Sequence, residues 1–359
     1  MKLKIAAVTF LAVFFILFKG GFIHASKTEK PAIDTMRTFS NTLINGADPW
    51  LIKDKGNYYL CLSAIVNHRP VITVSSSKKL SETGKPIVVW TAPKKAWNAN
   101  CVWAPELHRI GNKWYIYYTA GVKGPPYIHQ RSGVLESVTD DPQGQYVDKG
   151  MLNTGADLQS PSHTIWAIDL TVTTINKRLY AVWSGWKNNK VTDDTKQQLY
   201  MAEMKNPWTI SSERMCISRP EQEWETGGPL DINEGPEFLK HNSHTFIIYS
   251  TRESWTPEYR LGQLQLKDST KTPLDAKNWI KTGPVFQGTD QVYGVGHASF
   301  TTSPDNREWW IVYHTKKSTE PGWDREIRVQ PFSWQPNGNP DFGVPVPPGK
   351  KIKLPSGEK

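Results

Sequence analysis

Five degenerate copies of one short pattern divide this chain, and a fixed repeat limits the available folds more than any single motif does. Each copy is an apolar segment, a turn rich in Gly, Asn, Lys or Asp, and an aromatic-rich run ending in a small or polar residue. The runs are Tyr58-Tyr-Leu-Cys-Leu-Ser, Trp114-Tyr-Ile-Tyr-Tyr-Thr, Tyr180-Ala-Val-Trp-Ser, Phe246-Ile-Ile-Tyr-Ser and Trp310-Ile-Val-Tyr-His. With Asn57, Lys113, Arg178, His244 and Glu308 in register, the spacings are 56, 65, 66 and 64 residues. Each unit suits a hairpin with further strands, the makings of a propeller blade. The expected fold is all-β, a five-bladed β-propeller. Equivalent positions of such a ring surround one axis. Asp48, Asp169 and Glu234, near the same point of three copies, are therefore expected to converge.

Aromatic and β-branched residues fill these runs, and Asp54-Lys-Gly-Asn, Gly111-Asn-Lys and Pro304-Asp-Asn punctuate them, which favours short strands throughout. The repeats follow one another without a linker, so residues 39–353 are expected to form one propeller domain. The Pro-rich C-terminal segment ends in an expected loose tail, 354–359. At the other end, Lys2 and Lys4 precede the apolar run Ile5 to Phe18, which is followed by Ile23-His24-Ala25. That order is a secretory signal, expected over 1–25, with a flexible lead-in over 26–38. The run is shorter than the roughly 20 residues that span a bilayer. A secreted protein is expected, with no membrane association after cleavage.

Composition narrows the partners. The formal charge of +9 includes three lysines of the leader, and the remaining basic residues are scattered and form no stripe. Nucleic acid is not an expected partner. Cys61, Cys101 and Cys216 are too few and too widely spaced for a metal knuckle or a disulfide scaffold. The chain has 16 Trp, residues that serve both blade packing and stacking on sugar rings.

Three converging acids suit glycoside hydrolysis. Cleaving an acetal needs a protonated carboxyl for the leaving oxygen and an ionised carboxylate to activate water or attack carbon. Two carboxyls must then hold different protonation states at one pH. A third acid raises the donor's pKa by like-charge repulsion. The structural alternative for each acid alone is a turn or a cap. Three at similar phases of a closed ring favour chemistry, and they argue against a non-catalytic sugar-binding propeller.

The motifs Gly46-Ala-Asp-Pro-Trp, Trp103-Ala-Pro-Glu-Leu, Ala167-Ile-Asp-Leu, Asn233-Glu-Gly-Pro and Gly296-His-Ala-Ser occur in this order. Together they resemble glycoside hydrolase family 43, five-bladed β-propeller enzymes of arabinose- and xylose-containing polysaccharides. The resemblance covers nearly the whole chain after the leader. It implies Asp48 as general base, Glu234 as general acid, and Asp169 as the group that tunes and orients the acid. It implies inversion, with the Asp48 and Glu234 carboxyls about 6.5–9.5 Å apart. Arg325 matches a position where Arg reaches sugar hydroxyls. Trp103 and Trp166 are candidate sugar walls or inter-blade packing, and Glu106 is a candidate fourth acid or a turn residue. His297 either contacts a central ion, calcium in the family, or hydrogen-bonds the acids. The chemistry itself requires no cofactor. Arg325 to Trp334 looks most like the α-L-arabinofuranosidase branch, which acts on arabinan or arabinoxylan and their oligosaccharides. A β-xylosidase or an endo-arabinanase is the alternative.

Overall fold

The computed structural model describes residues 37–160, 163–189 and 195–359. The expected secretory signal, and the lead-in up to residue 36, lie outside the described residues. From Arg37 onwards the chain forms one compact unit. Five antiparallel sheets account for nearly all of it. Among the described residues no helix is long and apolar enough to cross a membrane.

Blade 1 runs from its inner strand outwards as Trp50–Asp54, Asn57–Val66, Arg69–Ser77 and Pro86–Thr91. Blade 2 follows as Asn100–Ile110, Lys113–Gly121, Arg131–Ser137 and Tyr146–Met151. Blade 3 has Ala167–Ile175, Arg178–Gly185, Gln198–Asn206 and Thr209–Ile210, with Met215–Ser218 as a further partner of its third strand. Blade 4 has Asn233–His241, His244–Thr251, Arg260–Leu266 and Trp279–Gln287. The second strands of these four blades begin at Asn57, Lys113, Arg178 and His244, the residues that the repeat places in register. The fifth begins at Trp309, one residue after Glu308.

Why these segments become strands follows from what covers them. The inner-to-second connections are tight; Lys55-Gly56 and Asn176-Lys177 both have positive φ at their two residues, the twist a two-residue hairpin needs. The second strands lie between neighbouring blades, so both faces are buried and the alternation of a half-exposed strand disappears. Trp114, Ile116, Tyr117 and Tyr118 are all buried in one such strand. Apolar cores fill the five seams. Trp50, Cys61 and Ile72 of blade 1 pack with Leu107, Trp114 and Ile116 of blade 2. The last seam joins Leu51, Tyr58 and Leu60 of blade 1 to Trp310, Val312 and Val329 of blade 5. All three cysteines are free thiols.

Blade 5 closes the ring. Its own segment supplies Tyr293–Thr302, Trp309–Lys316 and Arg325–Trp334, and its fourth strand is Ile44–Asn45 from the start of the unit. Ile44 pairs with Ile327 and Asn45 with Glu326. A second clasp pairs Thr38–Ser40 with Lys351–Lys353. The tail, expected to be loose, is instead pinned: Glu358 accepts the Leu80 N–H at 2.9 Å, and Ser356 N–H donates to Glu308 at 2.9 Å. A carboxylate and a backbone amide near the chain end anchor it.

Candidate active site

A left-handed residue sits at the start of every blade. Asp48, Ala104, Asp169, Gly235 and His297 have φ of 52, 41, 54, 51 and 46°. In blades 2 to 5 the inner-strand register shifts across that residue, as a β-bulge does. Bulges bend a strand and re-aim its side chains, here towards the axis. The second strand of one blade then holds the bulge of the next. Thr119 accepts the Asp169 N–H at 3.2 Å, and Ser250 accepts the His297 N–H at 2.7 Å. His314 accepts the Asp48 N–H through Nδ1 at 3.1 Å. This explains the polar residue that ends three of the aromatic runs, Thr119, Ser250 and His314. Nδ1 of His314 also lies 3.2 Å from Asp48 Oδ1. A ring nitrogen that accepts the amide has no proton for the carboxylate, so His314 holds the backbone of Asp48 and not its charge.

The repeat aligned Glu234 with Asp48 and Asp169. The structure shifts it by one residue, with Gly235 in the left-handed place. The reason is steric: a Cβ on Gly235 would stand 3.1 Å from Nδ1 of His297. The Gly235 N–H donates to Asp169 Oδ2 at 3.0 Å, which sets the third acid directly beside the Glu234 backbone. Glu234 Oε1 accepts from the Tyr259 hydroxyl at 2.9 Å. Tyr259 can approach this closely because Gly296 leaves space for its ring; a Cβ there would come within 2.2 Å of it.

Arg325 donates to Asp48 Oδ1 at 3.2 Å, and Nδ1 of His297 is 3.4 Å from the same oxygen. Burial by itself raises the Asp48 pKa, but the Arg325 charge and His297 outweigh it and hold the carboxyl well below the usual range. Glu234 behaves oppositely. Burial, assisted by the nearby Asp48 and Glu253 charges, outweighs the Tyr259 bond and Arg325 and pushes it up to about 7. Asp169 is raised by burial first, then by Glu234 and Asp48. The three acids therefore do converge, and their environments pull two of them apart in protonation. Burial keeps His297 below its ordinary pKa, against the pull of the Asp48 carboxylate.

The other expected positions separate. Trp166 is 3% exposed, stacks on Trp186 at 4.6 Å and donates Nε1–H to the Tyr127 carbonyl, which is the packing role. Trp103 is partly exposed and sits edge-on to Tyr127. Glu106 lies two residues beyond the bulge of blade 2 and is buried, 2.8 Å from Nε2 of His108. Its neighbour across the axis is Glu237, whose carboxylate accepts from Thr171 at 3.2 Å. Arg328 is buried against Glu326 and the Val346 carbonyl, away from Asp48, which leaves Arg325 as the arginine at the acids. Tyr259 and His314 were not among the expected residues. His314 had a signal, since it stands where other runs end in Ser or Thr; Tyr259 lies outside the repeat. A cavity of about 590 Å³ on blade 3, lined by Tyr200, Arg214 and Cys216 among others, contains none of the three acids.

A five-bladed ring that buries a raised carboxyl beside a salt-bridged one defines a propeller of the glycoside hydrolase class. The model for glycosyl hydrolases family 43 matches residues 39–340, and the chain belongs to this family. It is similar to alpha-L-arabinofuranosidase B of Pyricularia oryzae, 33% identical over 326 residues, covering 87% of this chain and 64% of that protein. It is 31% identical over 351 residues to an extracellular exo-alpha-(1->5)-L-arabinofuranosidase of Streptomyces avermitilis, covering 94% and 69%. The chain thus spans about two thirds of the length of these relatives. The crystal structure of an alpha-L-arabinofuranosidase from Lactobacillus brevis superposes with a TM-score of 0.76 at 31% identity, covering 87% of this chain and 98% of that one.

Proposed function

We propose that this protein is a secreted, exo-acting α-L-arabinofuranosidase that releases terminal arabinose from arabinan or arabinoxylan with inversion. The observation that carries the chemistry is the opposite displacement of two carboxyls in one site. On the acid side of pH 7 Asp48 is ionised while Glu234 retains its proton. Asp48 is the base that takes a proton from water as the water attacks the anomeric carbon. Glu234 gives its proton to the departing sugar oxygen. Asp169 orients Glu234 through the Gly235 amide and shares its field. Both protein groups needed for acetal cleavage are present, so no cofactor enters a step. Arg325 keeps the base ionised and presents its remaining N–H groups to sugar hydroxyls.

Calcium takes six to eight oxygen ligands. Around His297 the carboxylate in reach is Asp48 Oδ1, already paired with Arg325. This donor set does not fit a directly held calcium ion. Unchanged activity and melting temperature in chelator are the expected result.

The arabinofuranosyl preference and the secretion are supported by the names of the relatives and by the leader at Lys2 to Ala25. Product analysis on linear arabinan, branched arabinan and arabinoxylan tests the reading, together with proton NMR of the first anomer formed. Early free arabinose of inverted configuration is expected. Early mixed oligosaccharides identify an endo-arabinanase instead, and preference for β-D-xylosides a xylosidase.

A further inference from the structure

We propose that Trp323 and Trp255 form a platform for the leaving-group side of the substrate, stacking the sugar unit next to the bond being cleaved. The proposal rests on the hydrolase reading above. Trp114, Trp183 and Trp310 are sealed inside the seams and Trp186 is buried against Trp166, whereas Trp323 is 60% exposed. It lies on the connection between the second and third strands of blade 5. Trp255 lies on the equivalent connection of blade 4, with its ring 5.3 Å from that of Trp323 at an interplanar angle of 50°.

The pair is built into the fold. The Gly322 N–H donates to the Trp255 carbonyl at 2.8 Å, tying the two loops together. The buried Lys316 donates to the Gly322 carbonyl at 2.8 Å and fixes the residue before Trp323. Each loop also ends on a group that touches a site carboxyl. Two residues after Trp323 comes Arg325, whose guanidinium stands 5.4 Å from the Trp323 ring and bonds Asp48. Four residues after Trp255 comes Tyr259, which bonds Glu234. The rings therefore overlook the acids from the side of blades 4 and 5.

Position assigns the occupant. The sugar that reacts must reach acids that are largely buried, with Glu234 8% and Asp169 5% exposed. An aromatic ring left open to solvent stands at the mouth of that site, where the rest of an exo-cleaved chain emerges. Sugar rings present flat C–H faces that lie well on indole, and no charge is needed to hold a neutral pentose. Neither ring belongs to the five repeat motifs.

The test compares two substrates of one enzyme. An α-1,5-linked arabinotriose has a sugar leaving group, and α-L-arabinofuranosyl fluoride has none. For Trp323→Ala, KM for the triose is expected to rise about tenfold with kcat within about twofold, the scale of one lost aromatic stacking contact. On the fluoride, kcat/KM is expected to stay unchanged, and Trp323→Phe is expected to recover most of the triose loss. Equal losses on both substrates, or no change on the triose, overturn the platform while leaving the hydrolase reading intact. A wild-type protein that cleaves neither substrate overturns both.

Discussion

Asp48 and Arg325 are separated by 277 positions in the chain, and the Arg325 guanidinium lies 3.2 Å from the Asp48 carboxylate. The clasp that closes the ring brings them together. Ile44–Asn45 pairs with Ile327 and Glu326, and the Gly46 N–H donates to the Arg325 carbonyl at 3.1 Å. Three residues past the clasp the chain delivers Asp48. Ring closure and the ionisation of the proposed base are thus one structural event.

Arg325→Gln tests that link. Removing the charge lets burial dominate, so the Asp48 pKa rises. The base must be ionised to work, so the acidic limb of the kcat/KM profile should move to higher pH. An acidic limb at its wild-type position would show that Arg325 serves sugar hydroxyls only.

The basic limb belongs to Glu234. A general acid with a pKa of about 7 loses its proton as pH rises through that value. Activity is expected to fall above about pH 7, because kcat/KM reports the free enzyme's essential acid. A rate that stays level to pH 9 contradicts the assignment.

Asp169→Asn should draw that same limb to lower pH. Glu234 raises the pKa of Asp169, and repulsion between two neighbouring carboxylates acts on both of them. With the neutral amide in place, Glu234 ionises earlier. A limb that stays put, with activity merely reduced, leaves Asp169 an orienting group without electrostatic effect on the acid.

Loss of the acid and loss of the base should be distinguishable by leaving group. Asp48→Asn is expected to lower turnover by roughly 10²–10⁴ on every substrate, the usual range for general acid–base catalysis. Glu234→Gln should do the same on arabinan and far less on a dinitrophenyl arabinofuranoside, whose leaving group needs little protonation. Parallel losses for Glu234→Gln on both substrates would remove it from the acid's role.

Stability near the acid depends on a buried ion pair. Glu225 is fully buried and meets Lys281 at 2.9 Å, the Tyr249 hydroxyl at 2.8 Å and the Asn233 side chain at 3.0 Å. Lys281→Met leaves that carboxylate without its cation. Breaking one partner of a buried pair costs about 3–5 kcal/mol. Chemical denaturation should show that loss; a change below about 1 kcal/mol would mean that the pair contributes little to stability.

The repeat by itself determined the all-β class, the five units, the starts of four second strands, and the three acids as a convergent set. It could do so because burial on both faces forces each second strand into an aromatic-rich run, and that composition is local. What the tertiary structure decided is what crosses between distant segments. The register of Glu234 is one example: Gly235 takes the bulge position because His297, from another blade, fills the space above it. Trp166 is another, since only the folded chain shows Trp186 covering its face. Tyr259 and Trp323 carry no periodic signal, because loops between strands answer to the site and not to the repeat. The protonation states belong here too. Asp48 and Asp169 hold matching places in their repeats, and burial raises both; Arg325 beside Asp48 reverses the shift, whereas Glu234 beside Asp169 adds to it. An ionisation equilibrium is set by the charges and the water around a group, and those are fixed only when the ring closes.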